Sequence, residues 1–203
     1  MMKRLGGLTL ALGALAVAMI LLAGVLTFDA LRGGPHPRVS AAAGSITPTA
    51  REALDLATGA AKAWAVDAEL AGARGHVTAV GSTSGGQAEW TFQFFSPSGR
   101  RIALFVPTDV GYQKLRDQLS PYQVPIIPAS AWRVGSEEAL RTWASEGGDY
   151  LLERRSDHEI VLRLFVHTNR RDSTRWAVSG SASGTESTFE VQMDAEDGRV
   201  VVR

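Results

Sequence analysis

Glu52-Ala53-Leu54 recurs as Glu138-Ala139-Leu140, and Trp90 recurs as Trp176, both at a distance of 86 residues. One offset shared by a helix-like and a strand-like segment marks a repeated supersecondary unit, which constrains a fold more tightly than composition does. In the first unit, Thr47 or Thr49 is placed to cap a helix beginning near Ala50, with Pro48 suited to its first turn. Leu54, Ala57, Ala61, Trp64 and Ala65 give that helix one apolar stripe. A strand follows within Glu69 to Val80. Trp90, Phe92 and Phe94 then alternate with Thr91 and Gln93, and Ile102, Leu104 and Val106 alternate with Ala103 and Phe105. Ser96-Pro97-Ser98-Gly99 between these runs has hairpin-turn chemistry.

Tyr112, Leu115 and Leu119 share one side of a helix predicted over Asp109 to Leu119, and Pro121, Pro125 and Pro128 mark an extended connector after it. The second unit repeats the order. Ser136 is the expected cap of a helix with the stripe Leu140, Trp143 and Ala144, stopped by Gly147-Gly148. Strands are expected over His158 to His167, from Trp176, over Phe189 to Asp194 and over Val200 to Val202. The resulting expectation is an α+β chain in which two repeats, 49–107 and 132–203, each pack a helix on an antiparallel sheet of three to four strands, with 108–131 as helix and connector.

Leu5 to Phe28 carries no charge and is rich in Leu, Ala, Val and Ile, a length that reaches across roughly 30 Å of hydrocarbon. It predicts an N-terminal transmembrane helix, with 1–4 as a cytoplasmic lead, 5–28 as the anchor and 29–48 as a Gly/Pro/Ser-rich tether. A cleaved signal peptide is the rival, with Lys3-Arg4 as its basic start and Val39-Ser40-Ala41-Ala42-Ala43 as its cleavage site. The apolar run exceeds the usual h-region of roughly 7–15 residues, which favours retention. The expected location is the cell membrane, single-pass, with the C-terminal domain extracytoplasmic.

The 21 Lys and Arg residues are matched by 21 Asp and Glu, so the chain lacks the basic excess that nucleic-acid binding needs. The chain contains no cysteine, so disulfides and thiolate metal sites are excluded. His36, His76, His158 and His167 form no close metal pair, and His158 and His167, nine residues apart, face opposite sides of a strand. The run Gly81-Ser82-Thr83-Ser84-Gly85-Gly86 lacks the lysine of a phosphate loop, and Asp194, Glu196 and Asp197 lack the distal glutamate of a calcium loop. The serines near Gly81 to Gly86 and Ser179 to Gly184 do not form a nucleophile elbow. No catalytic, cofactor-binding or metal residues are assigned.

The helix and three-stranded meander, the strand-opening Trp, and Val191-Gln192-Met193-Asp194-Ala195-Glu196-Asp197-Gly198-Arg199-Val200 resemble the PepSY domains of bacterial exported proteins. Trp132 to Val202 is the closer copy, whereas Ala50 to Val106 has Ser98-Gly99-Arg100 in place of Asp197-Gly198-Arg199 and lacks the Asp-Ala pair. The resemblance implies a PepSY/cystatin-like fold and an envelope location, with roles in peptidase inhibition or regulation, and no catalytic residues.

Phe95 and Phe105 stand out because alternation places them on the sheet face opposite Trp90 and Ile102, a face that solvent alone would have made polar. The face is therefore expected to be covered, either by the other repeat or by a partner protein, and Phe95 and Phe105 form the candidate partner surface. The expected function is a membrane-anchored, non-enzymatic binding or regulatory module with an envelope peptidase or another envelope protein as partner. A structural tethering component is the alternative, and a hydrolase whose carboxylates, such as Asp149 and Glu153, converge with an Arg only in three dimensions is the second.

Overall fold

Helix α1 (Ala50–Trp64) begins where Thr49 closes a capping box: its hydroxyl accepts from the Glu52 amide at 3.3 Å and the Glu52 carboxylate accepts from the Thr49 amide at 2.8 Å. The helix turns Ala50, Ala53, Ala57 and Ala61 inward, and side chains this short let its backbone lie close on a sheet. The computed structural model describes residues 46–79, 86–148, 158–168, 172–182 and 188–202. All of them belong to one compact unit, His36–Arg203.

The strands are β1 (Ile46–Thr47), β2 (Glu69–Ala79), β3 (Gly86–Ser96), β4 (Arg101–Thr108), β5 (Gly111–Leu119), β6 (His158–His167), β7 (Ser173–Ala182), β8 (Thr188–Asp194) and β9 (Val200–Val202). Helix α2 (Ser136–Trp143) precedes β6 and runs into a wide turn, Ala144–Gly148, in which Gly147 takes a φ of 120°. The strands form a single sheet in the order β5-β4-β3-β2-β6-β7-β8-β9, with β1 lying parallel to the start of β3.

That continuity corrects the expected architecture. The described residues do not form two helix-on-sheet repeats, each with its own three- to four-stranded sheet, but one nine-stranded sheet carrying helices α1 and α2. The joint is the antiparallel pairing of β2 with β6, from Ala73 opposite Leu164 to Val77 opposite Ile160. The 86-residue spacing marks corresponding positions within this sheet. Trp90 Nε1 donates to the Pro48 carbonyl at 2.8 Å, and Trp176 Nε1 donates to the Val134 carbonyl at 2.9 Å. Ser136 is not the cap of its own helix, a place taken by Gly135; its buried hydroxyl accepts from the Ala50 amide 86 residues earlier, at 3.1 Å.

Asp109 to Leu119 is also corrected, from helix to a turn followed by strand β5. Pairing with β4 along eight positions supplies backbone partners that an isolated short helix would have to find alone, and Gly111, at φ 131°, makes the tight turn into it. The apolar run 5–28 lies outside the described residues, and among the described residues no helix is long and apolar enough to cross a membrane. The expected transmembrane anchor and single-pass membrane location are therefore withdrawn, as no described element supports them.

The core lies between one face of the sheet and the two helices. Trp90, Phe92, Phe94, Leu162, Leu164, Trp176, Val178, Val191 and Met193 are all buried, and the strand registers place them on that face. The connector between β5 and α2 contributes Ile127, Trp132 and Val134, whose buried side chains join the same core. Ala195, in the β8 to β9 turn, is fully buried and its carbonyl accepts from the amides of Arg133 and Val134 at 2.8 and 2.9 Å. The Asp194-Ala195 step thus ties the connector to the sheet.

Candidate interaction surface

The β3 to β4 turn decides which side chains share a face. Its four residues, Pro97 to Arg100, set Phe95 opposite Ile102 and Phe92 opposite Phe105. Directly opposed residues share a face, so the two phenylalanines of the expected partner surface part company. Phe105 lies on the helix-covered face with Trp90, in edge-on contact with Trp64 at 6.1 Å and Phe94 at 5.5 Å, and it is buried in the core. Phe95 lies on the other face together with Ile102. The structure brings Phe95 together with Ile102, Leu104 and Val106, and does not bring it together with Phe105.

This second face carries neither helix. Phe95 is buried on it, while Ile102, Leu104 and Val106 are each half-buried, forming an aliphatic strip along β4. Around the strip the face is polar. Gln93 stands opposite Leu104, and Arg116 of β5 flanks Leu104 on the other side. Towards β8 polar groups pair across strands: His76 Nε2 lies 2.8 Å from Glu159 Oε1, and Arg163 donates to Glu190 at 2.7 Å, over the small side chain of Ala177.

Two carboxylates are fixed near the end of α1. Asp67, just after α1, accepts from the Ser96 hydroxyl and the Ser98 amide, each at 2.7 Å, and so clamps the β3 to β4 turn. Hydrogen bonds from Ser98 and then Ser96 hold its carboxyl down at about 2 from an ordinary 3.8. A folded-state pKa below the unfolded one contributes stability that is present above the ordinary value and is lost as pH falls towards about 2. Asp67→Asn is therefore expected to lose less stability than the parent chain on acidification from neutrality to near pH 2, read as urea midpoints. Equal losses would refute this role.

Asp117 of β5 is the second. Its Oδ2 accepts from Trp64 Nε1 at 3.0 Å, Arg101 at 2.5 Å and Lys114 at 2.9 Å. Burial pushes this carboxyl up, but the hydrogen bonds from Lys114 and Trp64 and the charges of Arg101 and Lys114 outweigh it and hold the group below its usual value. Its Oδ1 is buried without a hydrogen-bond partner. Nearby, Tyr112 donates to the Trp90 carbonyl at 3.0 Å, and burial raises its hydroxyl to about 12.

Among the described residues no group of three or more His, Cys, Asp or Glu side chains converges as metal ligands. Asp149 and Glu153, the carboxylates of the hydrolase alternative, lie outside the described residues, as do His36, the side chain of His158 and most of the Gly81 to Gly86 run. The Asp67 clamp and the Asp117 cluster escaped sequence reasoning because Ser96 and Ser98 lie 29 and 31 residues from Asp67, and Trp64 and Arg101 lie 53 and 16 residues from Asp117, so that no local pattern defines either set. Comparison with protein-family models, with curated proteins and with solved structures finds no match for this chain.

Proposed function

We propose that this chain is a non-enzymatic binding or regulatory module that receives a protein partner on the helix-free face of its sheet. The observation that carries the reading is the aliphatic strip Ile102, Leu104 and Val106, half-buried beside buried Phe95 on a face that, among the described residues, no helix covers. Apolar side chains in a polar, ion-paired surround are the composition of a protein contact: a core that loses water, and a rim that sets orientation. The PepSY-like stretch Val191 to Val200 supports the same class of role, since its Asp194-Ala195 step anchors the connector, and regulation of a peptidase by contact requires no reacting group of the chain's own.

The reading is tested with a photo-crosslinking residue placed at Leu104 in the full chain, expressed in its source cells, and at Leu56 on the exposed side of α1 as control. A discrete adduct is expected at position 104 and not at 56. Ile102→Glu should abolish the adduct while shifting stability by less than about 1 kcal/mol, because the residue is half-exposed. Adducts of equal yield at both positions, or none at either, contradict the proposal.

A further inference from the structure

Strand β5 ends the sheet and is bonded to β4 alone among the described strands, so its outer N–H and C=O groups are available to another strand. We propose that it pairs antiparallel with β5 of a second copy of this chain, about a two-fold axis passing between Leu115 and Arg116.

The register follows from the bulge. Phe105 stands opposite Lys114 and Leu104 opposite Arg116, which leaves Leu115 as the extra residue. Consequently Tyr112, Lys114, Asp117 and Leu119 share the helix-covered face, and Gln113, Arg116 and Gln118 share the other. Residues opposed in an antiparallel pair must lie on the same face. An axis between Leu115 and Arg116 meets that condition on both sides of the bulge: Lys114 faces the second copy's Asp117, Gln113 faces its Gln118, and Tyr112 faces its Leu119. Each pair is favourable, as ion pair, amide pair and aromatic on aliphatic.

The competing registers fail on the same residues. An axis through Leu115 sets Lys114 against Arg116 and brings Tyr112, on one face, against Gln118, on the other. An axis through Arg116 opposes two guanidinium groups. An axis between Lys114 and Leu115 matches faces but forms no charge pair and leaves Leu119 unpaired. Lysines, arginines and bulges on edge strands ordinarily guard against such pairing, but here the bulge brings Lys114 and Asp117 into the one register where they complement each other. One further observation agrees: Leu115 and Leu119, 49% and 74% exposed, would lose water in the pair.

Light scattering on the full chain should return a dimer, and Lys114→Glu, which opposes two carboxylates, should weaken self-association at least about tenfold. Because the chain contains no cysteine, register can be read directly. Gln113→Cys with Gln118→Cys should give a disulfide-linked dimer under mild oxidation, whereas Gln113→Cys with Arg116→Cys should not. A monomer, a dimer indifferent to Lys114→Glu, or linkage through 113 and 116 as efficient as through 113 and 118 overturns the proposal.

Discussion

Trp176→Ala is expected to cost about 5 kcal/mol, a third or more of the about 5–15 kcal/mol that domains of this kind hold in all. Trp176 is fully buried and packs edge-on against Trp90 at 6.2 Å and Trp132 at 5.9 Å. Truncation opens a cavity the size of an indole, and each lost edge-on contact adds about 0.5–1.5 kcal/mol beyond the area removed from water. The hydrogen bond is the smaller part of the loss, because the Val134 carbonyl also accepts from Trp132 Nε1 at 3.0 Å and is left satisfied. The position also joins the two halves of the molecule, since Trp90 belongs to β3 and Trp132 to the connector. Urea unfolding followed by far-ultraviolet circular dichroism decides the point; a loss below about 2 kcal/mol would show that the three indoles do not form the structural centre.

Gly180→Ala is expected to destabilise by about 3 kcal/mol, with Gly75→Ala close behind. By strand preference alone alanine should be the better residue, by about 0.5–1 kcal/mol. Packing reverses the sign. A Cβ at position 180 would stand 2.4 Å from Trp143 Cζ2 and 2.8 Å from its Cη2, and one at position 75 would meet three atoms of the Trp90 ring between 2.5 and 2.8 Å. Both rings are fully buried and have no room to swing aside. Gly72→Ala is the matched control, as its Cβ would find nothing nearer than 3.5 Å, and should follow the strand preference, stabilising by about 0.5–1 kcal/mol. Stabilisation by Gly180→Ala would mean that Trp143 does not lie over β7.

The alternating runs Trp90 to Phe94 and His158 to His167 were legible as strands because one face of each is buried in the core, and Thr49, one of two cap candidates, was legible at a helix start because a cap acts on its own first turn. Legibility ended where a long-range pairing decided the outcome. Alternation specifies two faces on each strand but not which face of β3 meets which face of β4; the four-residue turn does that, and a shift of one residue moves Phe105 from the open face into the core. In β5 the bulge at Leu115 breaks the period of two, so its inward residues fall at 112, 114, 117 and 119, and the spacings of three and four between Tyr112, Leu115 and Leu119 mimic a helix. The union of β2 with β6 had no local signal whatever. Two sheets of opposed registry and one continuous sheet use the same alternation, and only the pairing across the joint distinguishes them. The hydroxyl of Ser136 serves the other helix for the same reason: the two helix starts meet in space, not in sequence.

Both proposed surfaces depend on that joint, because a continuous sheet is what leaves one broad face opposite α1 and α2 and places β5 at the edge of the described strands. Native-state hydrogen exchange tests it most directly, through the amides of Ala73 to Val77 and Ile160 to Leu164, which lie where β2 and β6 meet. The amides bonded across the joint are expected to exchange only through global unfolding, with the same free energy as the bonded amides of β3 and β7. If β1 to β5 and β6 to β9 instead open as two units with separate free energies, and the joint exchanges with the weaker of them, the continuous sheet is contradicted.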